Sequence, residues 1–182
     1  MGQGKDVSRD VEATLKMEEF SAATAAKSVA AARELLIEYG RFVIAQPGAA
    51  RFCFGSLERE ADGLPTSYAK QDGGCLLAWV NGEPAGFVAW RSLPPSAAVA
   101  ADAWEMKRLW VRPVARGLRL GRRLTQAVLD RAVAAGRKAV YLDTAPEAMA
   151  SAYRLYAEMG FTPCERYNDN PVDGLVFMVK FI

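Results

Sequence analysis

Residues 105–123 read EMKRLWVRPVARGLRLGRR, and this stretch decides the fold. It begins inside an apolar run, Ala103–Val111, that is typical of a β-strand. The following Arg112-Pro113 ends the strand, because proline has no N–H to give to a sheet. A helical pattern then runs from Gly117 to Ala135, with apolar residues three and four apart. A glycine-containing turn therefore joins a strand directly to a helix.

The start of that helix has the properties of an anion site. The first N–H groups of a helix have no acceptor within it, and the helix dipole makes this end positive. Gly117 and Gly121 allow close approach to the backbone, and Arg116, Arg119 and Arg122 add charged donors. A solvated basic helix start is the alternative interpretation. The sequence contains neither a Walker-type GxxxxGK[ST] loop nor a GxGxxG dinucleotide motif after its first strand.

Composition restricts both the class of protein and the chemistry. With 182 residues, 51% of them hydrophobic, and a net charge of +2, we expect one globular domain over residues 11–182 behind a flexible tail at 1–10. No signal peptide or membrane-length apolar run is apparent, so we expect a cytoplasmic protein. The absence of histidine excludes Ser-His-Asp and Cys-His machinery. Cys53, Cys75 and Cys164 form no CxxC pair, so we expect no metal site.

The sequence before residue 103 predicts one strand, two helices and a hairpin. The first helix has an apolar stripe at Val29, Ala32, Leu36, Tyr39 and Val43, and Ser21 or Thr24 can cap it. The hairpin turns at Asn81-Gly82. The predicted elements are a strand Val11–Met17, a helix ending before Gln46-Pro47-Gly48, a weaker helix Arg51–Ala61, and strands Cys75–Val80 and Ala85–Leu93.

The sequence after residue 135 predicts a strand Ala139–Asp143, a helix, and two closing strands, Phe161–Tyr167 and Leu175–Ile182. The capping-box pattern Thr144-Ala145-Pro146-Glu147 opens the helix, and Gly160 ends it. The complete order is β-α-α-β-β-β-α-β-α-β-β. A right-handed crossover should make its two strands parallel, so we expect an α+β fold with a mixed sheet.

Three segments in this order resemble the GNAT superfamily of N-acetyltransferases. They are RLWVRPVARGLRLG at 108–121, KAVYLDT at 138–144 and AYRLYAEMGF at 152–161. The resemblance implies the GNAT acyl-CoA N-acyltransferase fold, a mixed central sheet flanked by helices, with acetyl-CoA as donor. Pantetheine would lie between the two central parallel strands.

The resemblance also implies the cofactor-binding residues. Main-chain groups of Leu109, Trp110 and Val111 would bind pantetheine, and a strand N–H of Trp110 or Val111 would polarise the thioester carbonyl. Main-chain N–H groups would hold the diphosphate at Arg116, Gly117, Leu118, Arg119, Leu120, Gly121 and Arg122. One position departs from the family pattern, because Arg119 stands where the loop has glycine.

By the same resemblance, acetyl transfer is direct within a ternary complex, and Tyr156 protonates the leaving sulfur. A phenol keeps its proton at neutral pH, which suits a general acid. Packing in the core is the alternative for Tyr156, and Tyr153 is the second candidate. Glu105 is either the base that accepts the amine's proton or a carboxylate paired with a nearby arginine.

The sequence indicates little about the acceptor substrate. The expected acceptor is a primary amine, a small molecule or amino acid rather than a protein. The candidate lining residues are Glu58, Glu60, Asp62, Tyr68, Trp79, Trp90 and the segment Tyr167-Asn168-Asp169-Asn170-Pro171. A non-catalytic acyl-CoA sensor is the alternative function. We expect no nucleic-acid or membrane partner, and a homodimer is an open option because dimers are common in the family.

Overall fold

The computed structural model describes residues 13–46 and 54–182. The predicted order of elements is confirmed. The elements are β1 (Leu15–Glu19), α1 (Ala26–Ile44), α2 (Phe54–Asp62), β2 (Gly74–Val80), β3 (Glu83–Leu93), β4 (Ala103–Val111), α3 (Leu120–Ala134), β5 (Ala139–Thr144), α4 (Ala150–Glu158), β6 (Thr162–Pro163) and β7 (Val176–Phe181). The expected tail at 1–10 and Cys53 lie outside the described residues.

The seven strands form one mixed sheet in the order β1-β2-β3-β4-β5-β7-β6. Every neighbouring pair is antiparallel except β4 and β5, which are parallel and joined through α3. That parallel ladder contains only three residue pairs and ends at Glu105 opposite Tyr141. Beyond this pair, residues 106–111 of β4 have no partner on β5, so the sheet opens between the two strands. The expected α+β fold with a mixed sheet is confirmed.

Helices cover both faces of the sheet. One core cluster packs α3 and α4 against the sheet through Leu124, Val128, Met106 and Leu142. A second cluster packs α1 and α2 on the opposite face, with Leu35, Leu57 and Phe87 fully buried. On that second face, the part of the sheet around β5 and β7 is covered by loop residues such as Tyr167. No helix in the described residues is long and apolar enough to cross a membrane.

The hairpin prediction is confirmed, and it explains where β1 begins. Asn81 and Gly82 both have positive φ, 52° and 83°, as a tight type I′ turn requires. The side chain of Asn81 accepts a hydrogen bond from the N–H of Thr14 at 2.9 Å. Thr14 therefore lies opposite the turn, and β1 runs from Leu15 to Glu19 rather than over the predicted 11–17. Val11 lies outside the described residues.

Two predicted helix caps are wrong. Thr24 accepts a hydrogen bond from the N–H of Ser21, so neither residue caps α1, which has Ala25 at its N-cap. Thr144 does not open α4, because it forms the last residue pair of β5 with Val176 of β7. Helix α4 starts six residues later, at Ala150.

The remaining differences are in element lengths. The predicted closing strand Phe161–Tyr167 is reduced to Thr162–Pro163, because Pro163 cannot donate and the chain then leaves the sheet. Helix α3 begins at Leu120, not Gly117, because Gly117 and Arg119 have φ of 87° and 56°. Helix α2 begins at Phe54, while residues 51–53 of its predicted span lie outside the described residues.

Arg119 carries a conformational cost that a glycine would not. A left-handed φ costs an L-residue roughly 1–2 kcal/mol, part of which glycine's extra flexibility would cancel. We expect Arg119→Gly to raise the free energy of unfolding by roughly 0.5–1 kcal/mol, measured by urea denaturation. Arg119→Ala is the control, since it removes the guanidinium but keeps Cβ. Equal gains from both variants would mean that charge, not backbone conformation, is the cause.

Candidate active site

Two cavities meet where β4 and β5 separate. The larger, about 990 Å³, runs between the end of β4, the turn before α3, and α4; we call it the cleft. The smaller, about 400 Å³, lies toward α1, α2 and the 168–172 loop; we call it the pocket. The two share a wall made by Tyr39, Leu109, Ala148, Met149 and Ala152. A molecule lying in the cleft would therefore reach the pocket through the open sheet.

The cleft ends at a run of unused backbone donors. The N–H groups of residues 117 to 122 have no acceptor among the described residues, whereas those of Arg116 and Arg123 bond to Pro113 and Arg119. These six amides are successive, and the last three form the first turn of α3. Aligned free amides at a helix start bind phosphate oxygens. The geometry agrees with the predicted anion site.

The arginines of residues 108–122 are divided between this anion site and ion pairs with helices α1 and α2. Arg116, Arg119 and Arg122 line the cleft. Arg112 instead bonds Glu38 and Glu34 on α1 at 2.7 and 2.6 Å, and Arg108 bonds Glu60 on α2 at 2.9 Å. Arg108 and Arg112 therefore attach the helices to the sheet, while Arg116, Arg119 and Arg122 lie at the candidate anion site.

A bulge in β4 places two consecutive cations at the pocket. Ala89 of β3 pairs with Lys107 but Phe87 pairs with Trp110, so β4 has an extra residue here. Arg108, which has a φ of 61°, is in that bulge. Its side chain bonds Glu60 on α2 and lies over the ring of Tyr39 on α1. Both Lys107 and Arg108 line the pocket.

Glu105 is buried at 3% exposure and is held by four side chains. Arg91 donates to Oε2 at 2.6 Å, and Lys107 lies 3.7 Å from the same oxygen. Tyr167 and Asn168 donate to Oε1 at 3.2 and 3.1 Å. Burial favours the neutral acid, but the charges of Lys107 and Arg91 outweigh it and lower the pKa of Glu105. Glu105 is therefore ionised and has its oxygens occupied.

Glu60 forms the second charged pair of the pocket. Arg108 donates two hydrogen bonds to it, at 3.0 and 2.9 Å, and the buried Tyr68 donates a third at 2.8 Å. Burial raises the pKa of Glu60, but the bonds and charge of Arg108 outweigh this and lower it from 4.5 to about 2. Tyr68 thus supports Glu60 from within the core.

Asp143, at the end of β5, has one carboxylate oxygen without a hydrogen-bond partner among the described residues. Its Oδ2 accepts hydrogen bonds from Asn168 at 2.9 Å and Asn170 at 3.2 Å. Its Oδ1 has no partner among the described residues, and Asp143 lines the pocket. The Asn168 amide also bonds Glu105, so one side chain connects the two carboxylates. Asp143 therefore has a fixed position and free capacity to accept a proton or a donor.

Tyr156 reaches the pocket from the opposite face of the sheet. It lies on α4, is 6% exposed, and packs edge-on against Phe161 with ring centroids 5.8 Å apart. No described residue bonds its hydroxyl. Burial, together with the nearby Tyr39 and Asp143, raises its pKa well above the ordinary value. The phenol thus keeps its proton and has no fixed partner for it within the described chain.

Comparison with known proteins identifies the family of this chain. The sequence profile of the Acetyltransferase (GNAT) family matches residues 41–161, more than half of the chain. The chain belongs to the GNAT acetyltransferase family. An uncharacterised N-acetyltransferase of Schizosaccharomyces pombe is 40% identical over 74 residues, 41% of this chain and 45% of that protein. The chain thus matches less than half the length of this curated relative.

Solved GNAT structures share the fold. An acetyltransferase from Streptococcus agalactiae superposes with a TM-score of 0.71 over 92% of this chain and 98% of its own, at 18% identity. The PaiA N-acetyltransferase of Thermoplasma acidophilum, solved in complex with coenzyme A, gives 0.68 over 93% and 99%, at 14% identity. At these identities the likeness is one of fold.

The GNAT resemblance assigned residues to both cavities, and the structure brings most of them there. Leu109, Trp110 and Val111 line the cleft, as do six of the seven turn residues from 116 to 122. Leu118 is the exception, since it is 43% exposed and outside the lining. Glu105 and Tyr156 line the pocket. Tyr153 packs against the core beside α3 and lines neither cavity.

The acceptor candidates divide in the same way. Glu60 and residues 168–171 line the pocket, and Tyr68 and Tyr167 support it. Glu58 and Asp62 are exposed outside it, and Trp79 and Trp90 belong to the cores.

Tyr39, Arg91 and Asp143 are among the pocket residues to which sequence analysis gave no role in the site. The signal for Asp143 was present, because it ends a parallel strand at the edge where sheet proteins bind ligands.

The Glu60–Arg108 pair should make the stability of this GNAT protein pH-dependent. A carboxyl with a lowered pKa stabilises the fold above its unfolded value of 4.5, and this is lost as the pH falls toward 2. The shift corresponds to about 3 kcal/mol. We expect wild type to exceed Glu60→Gln in unfolding free energy at pH 7, with the difference shrinking below pH 4.5, measured by urea denaturation.

Glu58→Gln is the matched control, because Glu58 is exposed on the same helix. A Glu60→Gln difference that stays constant from pH 7 to 3 would contradict the role of this ion pair.

Proposed function

We propose that this protein transfers the acetyl group of acetyl-CoA to the primary amine of a small molecule. The observation that carries the proposal is the junction of the two cavities at the gap between β4 and β5. The cleft has phosphate donors at one end and opens at the other into a polar pocket. Such a layout suits two substrates that react where the cavities meet, which lowers the barrier by orientation.

The residues of the cleft fit coenzyme A. The amides of residues 117–122 offer successive donors for a diphosphate. Residues 106–111 of β4 pair with β3 but not with β5, so the backbone groups on their open edge can bond an extended pantetheine arm. Gly121 packs closely against Leu155, so a side chain at this position would crowd the cleft floor. Bound there, acetyl-CoA supplies the activated acetyl group.

Tyr156 is the proposed general acid. As the amine nitrogen bonds to the acetyl carbon and the carbon–sulfur bond breaks, the Tyr156 hydroxyl donates its proton to the sulfur. The position of Tyr156 in the pocket lining and the lack of a described partner for its hydroxyl support this role. The amine's displaced proton goes to Asp143, whose Oδ1 is open, and solvent exchange then restores both groups.

For Glu105 we propose a positioning role. A carboxylate with a lowered pKa and occupied oxygens is a weak base. Its contacts with Arg91, Lys107, Tyr167 and Asn168 instead hold the pocket walls in place. This is the paired alternative that the sequence leaves open.

Replacing Tyr156 tests the proposal directly. We expect Tyr156→Phe to lower kcat on the order of 10²-fold, because the ring remains but the proton donor is lost. Thiol release from acetyl-CoA with a panel of primary amines measures the rate. Tyr153→Phe is the control and should retain near wild-type turnover. If Tyr156→Phe is equally active, Tyr156 is not the general acid. If wild type binds acetyl-CoA but acetylates no amine, the sensor function is favoured instead.

The diphosphate site has its own test. Losing two or more charge-assisted hydrogen bonds costs roughly 3 kcal/mol or more, so we expect S-acetylpantetheine to bind on the order of 10²-fold more weakly than acetyl-CoA. Isothermal titration calorimetry measures both affinities. Added salt should weaken acetyl-CoA binding selectively. Equal affinities would show that the amides of residues 117–122 do not hold the diphosphate.

A further inference from the structure

Two inner charged side chains of the pocket have no hydrogen-bonded partner of opposite charge among the described residues. Arg108 pairs with Glu60 and Arg91 pairs with Glu105, each through hydrogen bonds of 3.0 Å or less. These two pairs use one cation and one carboxylate each. Lys107 and Asp143 remain among the inner charges, and each lines the pocket.

Lys107 is a half-buried ammonium with no hydrogen-bond acceptor among the described residues. Its side chain is 18% exposed, and its closest carboxylate oxygen among the described residues, on Glu105, is 3.7 Å away. That distance is too long for a hydrogen bond, and the oxygen already accepts the short bond from Arg91. Burial and the neighbouring Arg108 lower the pKa of Lys107, although Glu105 opposes them. An anion beside Lys107 would relieve this desolvated cation.

Asp143 is the complementary group on the facing strand. Two asparagine amides hold its Oδ2, and its Oδ1 has no partner in the described chain. Lys107 and Asp143 lie just past Glu105 and Tyr141, the last residue pair of the parallel ladder. The spare positive and negative charges therefore line opposite sides of the gap between β4 and β5.

From this arrangement we infer that the acceptor is an amino acid, an amine that also carries a carboxylate. Lys107 binds the acceptor's carboxylate, and Asp143 binds its ammonium. The ammonium first releases one proton to solvent to become the attacking amine, and Asp143 takes up the second proton as the nitrogen bonds to the acetyl carbon. A pocket of about 400 Å³ is at the small end of ligand sites, which suits a single amino acid. The inference rests on the proposed acetyl transfer and names the acceptor class for the same site.

The decisive experiment compares each L-amino acid with the matching amine that lacks the carboxylate, and with its methyl ester. We expect kcat/KM of the best amino acid to exceed that of its decarboxylated amine by at least about tenfold, the effect of one charge-assisted contact. The ester should behave like the amine. Thiol release from acetyl-CoA measures the rates. A preference for decarboxylated amines would overturn the amino-acid assignment while leaving acetyl transfer intact.

Lys107 variants identify the residue responsible. Lys107→Gln should reduce the ratio of amino acid to amine toward one, and Lys107→Arg should restore it. Affinity for acetyl-CoA, measured on each variant, verifies that the cleft is folded. An unchanged ratio in Lys107→Gln would remove Lys107 from carboxylate binding.

Measuring acceptor binding without reaction tests the acceptor class separately from the proposed acetyl transfer. With coenzyme A bound, titration calorimetry of the same amino acids and amines reports on the pocket without any reaction. Selective binding of amino acids without turnover would contradict the proposed function but support the acceptor class. Failure of every amino acid to bind, in a protein that acetylates other amines, would refute the acceptor class alone.

Discussion

Parallel pairing between β4 and β5 stops after three residue pairs, and the site depends on this early end. If β4 and β5 continued to pair, the edge of residues 106–111 that faces away from β3 would bond to β5, and the space between the cavities would close. Ending the ladder leaves polar backbone in the middle of a core, which is costly unless another molecule or solvent bonds it. The fold accepts this cost because helices on both faces hold the two strands, and the gap becomes the place where two ligands can meet.

The bulge at Arg108 has a comparable local effect on charge. Without the extra residue, Lys107 and Arg108 would extend from opposite faces of the sheet, and Arg108 would enter the α3 core. With it, Arg108 bonds Glu60 on α2, and Lys107 stays at the pocket beside Glu105. One residue in a non-standard conformation thus places Arg108 in an ion pair with α2 and leaves Lys107 at the pocket.

Sequence patterns predicted what depends on local periodicity and turn chemistry. The Asn81-Gly82 turn and the apolar faces of α1 and α3 carry their own signals, so the order of elements could be predicted. The errors fall where a longer-range contact overrides a local one. Thr144 has the sequence pattern of a helix cap, but it pairs with Val176 of β7. The segment after Pro163 has the pattern of a strand, but its Tyr167 bonds to Glu105 instead.

The site shows the same division. The turn at 116–122 could be found because strand, glycine and arginines are adjacent in sequence. The partners of each charge could not, since Arg91, Glu105, Asp143 and Asn168 come from distant segments. Asp143 was recognisable only from its position at a strand end. The bulge at Arg108 decides that Arg108, and not Lys107, bonds Glu60, and no local sequence pattern indicates this bulge.

The wall shared by the two cavities limits how acceptor choice can evolve. Tyr39, Leu109, Ala148, Met149 and Ala152 face both sides, so a substitution there alters the donor compartment together with the acceptor compartment. Asp169, Pro171 and Val172 border the pocket alone, on a loop outside the regular elements. Substitutions in this loop can therefore change the acceptor that binds, while the residues of the cleft stay unchanged.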